Sequence, residues 1–256
     1  MTDNVLFTVT DHVATITLNR PEKLNAATPQ MSKAIVAATE ECNRNDQVRC
    51  VIVTGAGPKA FCAGSDIAEL DTYATPWDFR NRADYCDAIN RLLKPSIAAV
   101  NGYALGGGLE TALSCDIRIA SRNARFAAPE IKLGWIGGGG MAAFLSRSIG
   151  MSNTALMLMT GDAIDAEQAL AWGLVSELTE PEDLLSRAFA IAQTIASRAP
   201  IAAETAKLNL RAACSMPLEK AMEYERDLQT ICFATADAKE GRAAFKEKRA
   251  PVFTRR

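Results

Sequence analysis

Two glutamates, Glu110 and Glu130, each sit beside a segment built for a tight backbone. Glu110 ends the run Asn101-Gly102-Tyr103-Ala104-Leu105-Gly106-Gly107-Gly108-Leu109-Glu110. Glu130 ends Ala127-Ala128-Pro129-Glu130 and precedes Gly134-Trp135-Ile136-Gly137-Gly138-Gly139-Gly140. Two carboxyls can divide the work of base and acid, and glycine-exposed backbone amides can hold an oxyanion. The combination points to an enzyme that moves protons next to a carbonyl. A third segment, Lys59 to Leu70, passes from an apolar strand through small residues into a short helix and also presents bare amides.

Each segment also has a plainer reading. The triple glycine could be a turn for close helix–strand packing, with Glu110 as a capping glutamate. Residues 59–70 could be an ordinary loop with Ser65 as helix N-cap and Asp66 complementing the helix dipole. The four-glycine run could be a flexible loop or the entry to a helix at Met141. Other chemistries are excluded more firmly. His12 is the only histidine, which rules out a Ser-His-Asp triad and a multi-histidine metal site. There is no Walker A sequence and no G-x-G-x-x-G after the first strand, which argues against nucleotide hydrolysis and a dinucleotide site.

The elements that must position these residues are legible from periodicity. Val5–Val9 and Val13–Leu18 read as a hairpin, and Ala26–Asn43 as a helix with Thr28 as N-cap and Pro29 at its first position. Val48–Thr54 and Ser96–Val100 read as buried strands covered on both faces. Asp78–Leu93 reads as one amphipathic helix, and a helix runs from about Gly108 to Ser114. Asp116–Ala120, Arg125–Ala127 and Leu174–Glu177 read as further strands. Helices are expected over 141–149, 152–160, 165–172, 181–197, 200–214 and 217–245. Alternation early and helices late imply an α/β fold with a helical C-terminal part, divided here as a core of residues 1–199 and a helical region of 200–256.

Bulk properties agree with a soluble globular protein. The 256 residues are 48% hydrophobic and 23% charged, with a net charge of −2, and no apolar run reaches membrane-span length. Nothing marks a nucleic-acid or membrane partner. The N-terminus carries no signal-peptide pattern. Seven scattered cysteines, with no CxxC pair, imply buried thiols and a reducing, cytoplasmic setting.

Taken in order, the motifs resemble the crotonase (enoyl-CoA hydratase/isomerase) superfamily over nearly the full length. The stretches that carry the resemblance are Leu18 to Ala26 (LNRPEKLNA), Phe61 to Ile67 (FCAGSDI), the 101–110 glycine segment, Pro129-Glu130 with Leu133-Gly134, Thr160-Gly161-Asp162, Ala171 to Val175, and Glu240 to Arg249. The resemblance implies a spiral of ββα turns with a C-terminal helical region used in trimer formation, as a trimer or dimer of trimers. It implies an acyl-CoA thioester ligand and no cofactor or metal, CoA being part of the substrate. It places the oxyanion amides on Ser65 and Gly107, and the CoA-lining segment on Ala63, Asp66, Ile67 and Ala68. It places Leu24 and Ala26 near adenosine, Gly138 near the water site, and Phe245 and Lys248 on a tail that reaches CoA, often from a neighbouring subunit. Glu110 and Glu130 match both acids of the family's hydratases. Glu110 would deprotonate water and Glu130 would deliver a proton to the α-carbon of an α,β-unsaturated acyl-CoA. Double-bond isomerisation, decarboxylation, C–C cleavage and silent acyl-CoA binding remain open beside hydration. The chain departs from the hydratase pattern at Gly137–Gly140, at Ala68, where a lysine is frequent, and at Leu109, which is expected to narrow the pocket.

Overall fold

A computed structural model of the chain describes residues 4–256. The hairpin forms as read. Strand β1 (Val5–Thr10) pairs antiparallel with β2 (Val13–Leu18), and Asp11 and His12 take the positive φ of the turn. Helix α1 (Pro29–Arg44) follows. Its N-cap Thr28 accepts from the Met31 amide, and Pro29 stands at its first position, where the missing N–H costs nothing.

From there the chain climbs a spiral. Each turn gives one strand to a large sheet, one to a small sheet, and then a helix. The pairs are β3 (Cys50–Gly55) with β4 (Ala60–Cys62), β5 (Ser96–Val100) with β6 (Tyr103–Leu105), and β7 (Ile117–Ser121) with β8 (Arg125–Ala127). Three short helices, α2 (Ile67–Leu70), α3 (Pro76–Arg80) and α4 (Tyr85–Asn90), separate the first pair from the second, and α5 (Gly107–Ser114) closes the second turn. After β8 comes α6 (Met141–Thr160), whose two helical arms meet at non-helical Gly150 (φ +77°), much as the separate 141–149 and 152–160 helices expected from sequence. Then follow β9 (Ile164–Asp165), α7 (Ala166–Trp172), β10 (Glu177–Thr179) and helices α8 (Leu184–Ala196), α9 (Pro200–Ala213), α10 (Leu218–Ala234) and α11 (Ala236–Glu247). The large sheet runs β1-β2-β3-β5-β7-β10 and the small one β4-β6-β8-β9. Within them β3, β5, β7 and β10 are parallel, as are β4, β6 and β8.

All six residues of β3 are buried, because both of its faces are covered. Cys50 and Ile52 join Ile97 and Ile119 against Leu184, Ala188, Ala192 and Ala196 of α8. The four-residue spacing of that α8 stripe keeps small side chains on one face, so the helix lies close to the sheet. Val51 and Val53 point the other way, into the main core with Ile35, Phe61, Leu109 and Phe126. Leu109 is 0% exposed there, so it packs inward and does not narrow the pocket as expected from sequence.

Four other expectations are corrected. The 78–93 helix is two pieces, because the Asp84 side chain accepts the amides of Cys86 and Asp87 and starts α4 afresh. The 217–245 helix breaks at Thr235, whose hydroxyl caps α11 by accepting from Ala238. The strand expected at 174–177 begins only at Glu177. The amides of Leu174 and Val175 fold back onto the Ala169 carbonyl, and Gly173 caps α7 in the left-handed region. The N-cap of α2 is Asp66, which accepts from Ala68, and not Ser65.

The C-terminal helices are tied to the sheets by buried charge. Lys94, 0% exposed, donates to Glu204 of α9 at 2.9 Å, and Lys207 reaches Asp116 at 2.8 Å. The end of the chain is fastened too. Asp237 accepts the amides of Thr254 and Arg255, and Arg49 donates to the Phe253 carbonyl. No helix among the described residues is long and apolar enough to cross a membrane.

Candidate active site

Glycine geometry brings two backbone amides to one spot. Gly64 (φ +95°) precedes Ser65, and Gly106 (φ +54°) precedes Gly107. Side chains avoid this region, so the sequence needs glycine to turn the following N–H in each case. Ala27 makes a one-residue parallel bridge to Ser65, donating to the Gly64 carbonyl and accepting from Asp66. The N–H of Ser65 itself therefore faces away from Ala27. Gly107 is the first residue of α5, and its N–H lies outside the helix's own hydrogen-bond ladder. A β-carbon on Gly64 would lie 3.2 Å from the Gly107 nitrogen, so the two segments touch. A loop amide beside the amide at the N-terminus of α5 makes a site for developing negative charge.

Asparagines hold this frame. Asn25, 0% exposed, donates to the Ala56 and Ala60 carbonyls at 3.0 and 2.7 Å. Asn101 donates to the carbonyls of Gly55 and Gly57 at 2.8 and 2.6 Å. Together they fix the turn that sends β4 toward Ser65.

Both candidate acids face one cavity of about 240 Å³, along with Ser65 and Gly107. Glu110, in the first turn of α5, is 5% exposed. Its Oε1 accepts from the amides of Gly139 (2.7 Å) and Met141 (3.3 Å), which leaves Oε2 for a reacting water. Burial pushes its pKa up to about 7. The amides of Gly139 and Met141 oppose that rise, and the charge of Glu130 adds to it. Glu130 sits in a short 3-10 turn, Pro129–Leu133, with Pro129 opening it. A β-carbon on Gly106 would come within 2.6 Å of Glu130 Oε1, so this carboxyl lies against the loop that carries Gly107. Its Oε2 is buried without a hydrogen-bond partner, and burial raises its pKa. Burial raises both acids, and they differ in their partners: Glu110 is held by two backbone amides, whereas Glu130 Oε2 has no hydrogen-bond partner.

The far wall comes from the α3–α4 segment and the loop before α6. Phe79, Arg82, Asp84, Tyr85 and Cys86 line one side, and Trp135 to Gly138 the other. Arg82 pairs with Asp84 at 2.7 Å and lies over the Phe79 ring.

The residues expected to bind CoA divide into two groups. Ala63, Ile67 and Gly138 line the cavity with Ser65 and Gly107. Leu24, Ala26, Asp66 and Ala68 do not line it but adjoin its edge. The Leu24 carbonyl accepts from Ala63, and Arg20 donates to both the Ala26 carbonyl and Asp66. Phe245 and Lys248 lie on α11 and its C-cap, away from the cavity, and Phe245 is 86% exposed. Sequence reasoning missed Gly139 and Met141 as the partners of Glu110, because a run of four glycines does not say which amide points inward. It also missed Tyr85, which reads as one apolar position of a helix.

The chain belongs to the enoyl-CoA hydratase/isomerase family: the family model matches residues 8–256. A short-chain-enoyl-CoA hydratase of Clostridium acetobutylicum is 40% identical over 96% of this chain and 96% of its own length. An (E)-benzylidenesuccinyl-CoA hydratase of Thauera aromatica is 39% identical over 97% of this chain and 98% of its own. The crystal structure of an enoyl-CoA hydratase from Bacillus anthracis superposes with a TM-score of 0.94 at 34% identity, covering 99% of this chain and all of that one. The spiral and its helical C-terminal region are those of this fold.

Proposed function

We propose that the protein is a hydro-lyase that adds water to the double bond of an α,β-unsaturated acyl-CoA thioester, or removes it. The observation that carries this reading is the pair of unlike carboxyls facing one cavity that also holds two free amides. In the forward direction the thioester oxygen accepts from the Ser65 and Gly107 amides. This drains electron density from the β-carbon. Glu110, anchored through Oε1, takes a proton from water as the oxygen attacks. Glu130, whose pKa burial also raises, gives a proton to the α-carbon. No metal step is needed, because the amides stabilise the enolate.

The family's full-length relatives named as hydratases support the activity. The CoA moiety is assigned to the edge formed by Leu24, Ala26, Ala63, Asp66, Ile67 and Ala68. Phe245 and Lys248 are assigned to CoA bound at a neighbouring subunit, because they stand clear of the cavity in their own. Exposed Leu210, Leu218, Ile231 and Phe233 on α9 and α10 support self-association through the 200–256 region, as a trimer or dimer of trimers. Seven free cysteines, five of them buried, support a reducing, cytoplasmic setting.

The deciding experiment is turnover of a panel of enoyl-CoA thioesters, followed by loss of enoyl absorbance and product analysis. Hydration of a 2-enoyl thioester is expected. Conversion of a 3-enoyl thioester without hydration would reject the reading in favour of an isomerase.

A further inference from the structure

One polar contact beside the oxyanion amides is not used by the mechanism above. Tyr85, at the start of α4, is 4% exposed yet faces the cavity. Its hydroxyl lies 3.1 Å from Ser65 Oγ. The same oxygen lies 2.0 Å from the point that a β-carbon on Gly107 would occupy. One phenol therefore touches both residues whose amides form the oxyanion site. It adds a side-chain link between the 63–66 loop and the N-terminus of α5, whose backbones already lie against each other beyond the paired strands β4 and β6.

We propose that Tyr85 is a positioning residue for hydration: its hydroxyl bond to Ser65 and its seat against Gly107 fix the spacing of the two amides that receive the thioester oxygen. This rests on the hydratase reading above. Burial keeps the phenol protonated, its pKa well above the ordinary value, so the contact persists across the working pH range. A hydroxyl that only filled space would behave differently. Its loss would weaken ground-state binding and stability together, whereas misplaced oxyanion donors lessen the polarisation of the bound carbonyl and cost most where charge develops on it, in the transition state.

The test uses the full-length protein with Tyr85→Phe, Ser65→Ala and the double variant. Tyr85→Phe keeps the ring and removes only the hydroxyl. It is expected to lower kcat roughly tenfold, the scale of one well-placed hydrogen bond, with KM and the affinity for saturated butyryl-CoA within about twofold of wild type. Ser65→Ala is expected to do the same, and the double variant to be no slower than the slower single, because both break one contact. A direct readout is the infrared stretch of a ¹³C=O thioester carbonyl in bound butyryl-CoA. Its polarisation should lessen in Tyr85→Phe. This measurement needs no turnover, so it separates failure of the proposal from failure of the hydratase assignment. The proposal is overturned if kcat in Tyr85→Phe stays within about twofold of wild type. It is equally overturned if the single losses multiply in the double variant, or if the carbonyl band does not move.

Discussion

The Gly139 amide donates to Glu110 Oε1 at 2.7 Å, linking the glycine run before α6 to the first turn of α5. A β-carbon at 139 would lie 2.8 Å from Glu110 Oε2 and 2.9 Å from the Cys86 β-carbon. Gly139→Ala should therefore push the carboxyl from its place and cost on the order of a hundredfold in kcat, as small displacements of a reacting group do. Thermal unfolding should show a native-like fold. A kcat near wild type would show that Gly139 does not set the position of Glu110.

Glu110→Gln keeps an acceptor for the Gly139 amide but removes the proposed base. Turnover should fall by two to four powers of ten, the usual worth of a positioned proton-transfer group. Affinity for a saturated acyl-CoA should be unchanged. Glu130→Gln should show a comparable loss. It should also stop exchange of α-protons of a bound saturated thioester with D₂O, as read by NMR, if Glu130 serves the α-carbon.

The raised pKa of Glu110 has consequences for both rate and stability. On the proposed mechanism only ionised Glu110 accepts a proton from water, so kcat/KM for hydration should rise with pH through an apparent value near 7. The two coupled acids give macroscopic values that belong to the pair. For stability, the folded chain holds the Glu110 proton more tightly than the unfolded chain between pH 4.5 and about 7. Stability should thus be lost as pH rises through that window, by up to about 3 kcal/mol. Glu110→Gln should be more stable than wild type at pH 8 and similar to it at pH 4. Denaturant titrations at both pH values check this, and equal stability at pH 8 would count against the burial penalty.

Phe245 tests the assignment of the tail. Phe245→Ala should raise KM for CoA thioesters several-fold and leave KM for short pantetheine thioesters, which lack the nucleotide, unchanged. Because the residue is 86% exposed in its own chain, its unfolding temperature should barely change. An equal effect on both substrates would place Phe245 outside the CoA site.

Much of this architecture was legible in the sequence because local chemistry and fold agree. Thr28-Pro29 announces the start of α1, the β-branched run at 50–54 announces a strand covered twice, and the 106–108 glycines announce the turn into α5. The breaks at Asp84 and Thr235 were hidden, since an apolar stripe continues across each of them and only a side chain accepting backbone amides interrupts the helix. Glu110 and Glu130 stood out through their neighbours. Tyr85 and Met141 did not, because their roles depend on contacts across separate turns of the spiral. The cap role expected of Ser65 passed to Asp66 for a related reason. The bridge to Ala27 takes Ser65 out of the helix cap, and Asp66 is the next side chain able to accept from α2.

The tethering of Glu110 through one oxygen carries a further consequence, for the handedness of the product. With Oε1 held by two amides from the loop before α6, the remaining oxygen can present a nucleophile from a single direction. On the proposed mechanism the thioester is gripped at its carbonyl and cannot turn over to offer its opposite face. A 3-hydroxyacyl product should therefore emerge as one enantiomer, and chiral chromatography of the released acid would read that geometry out directly.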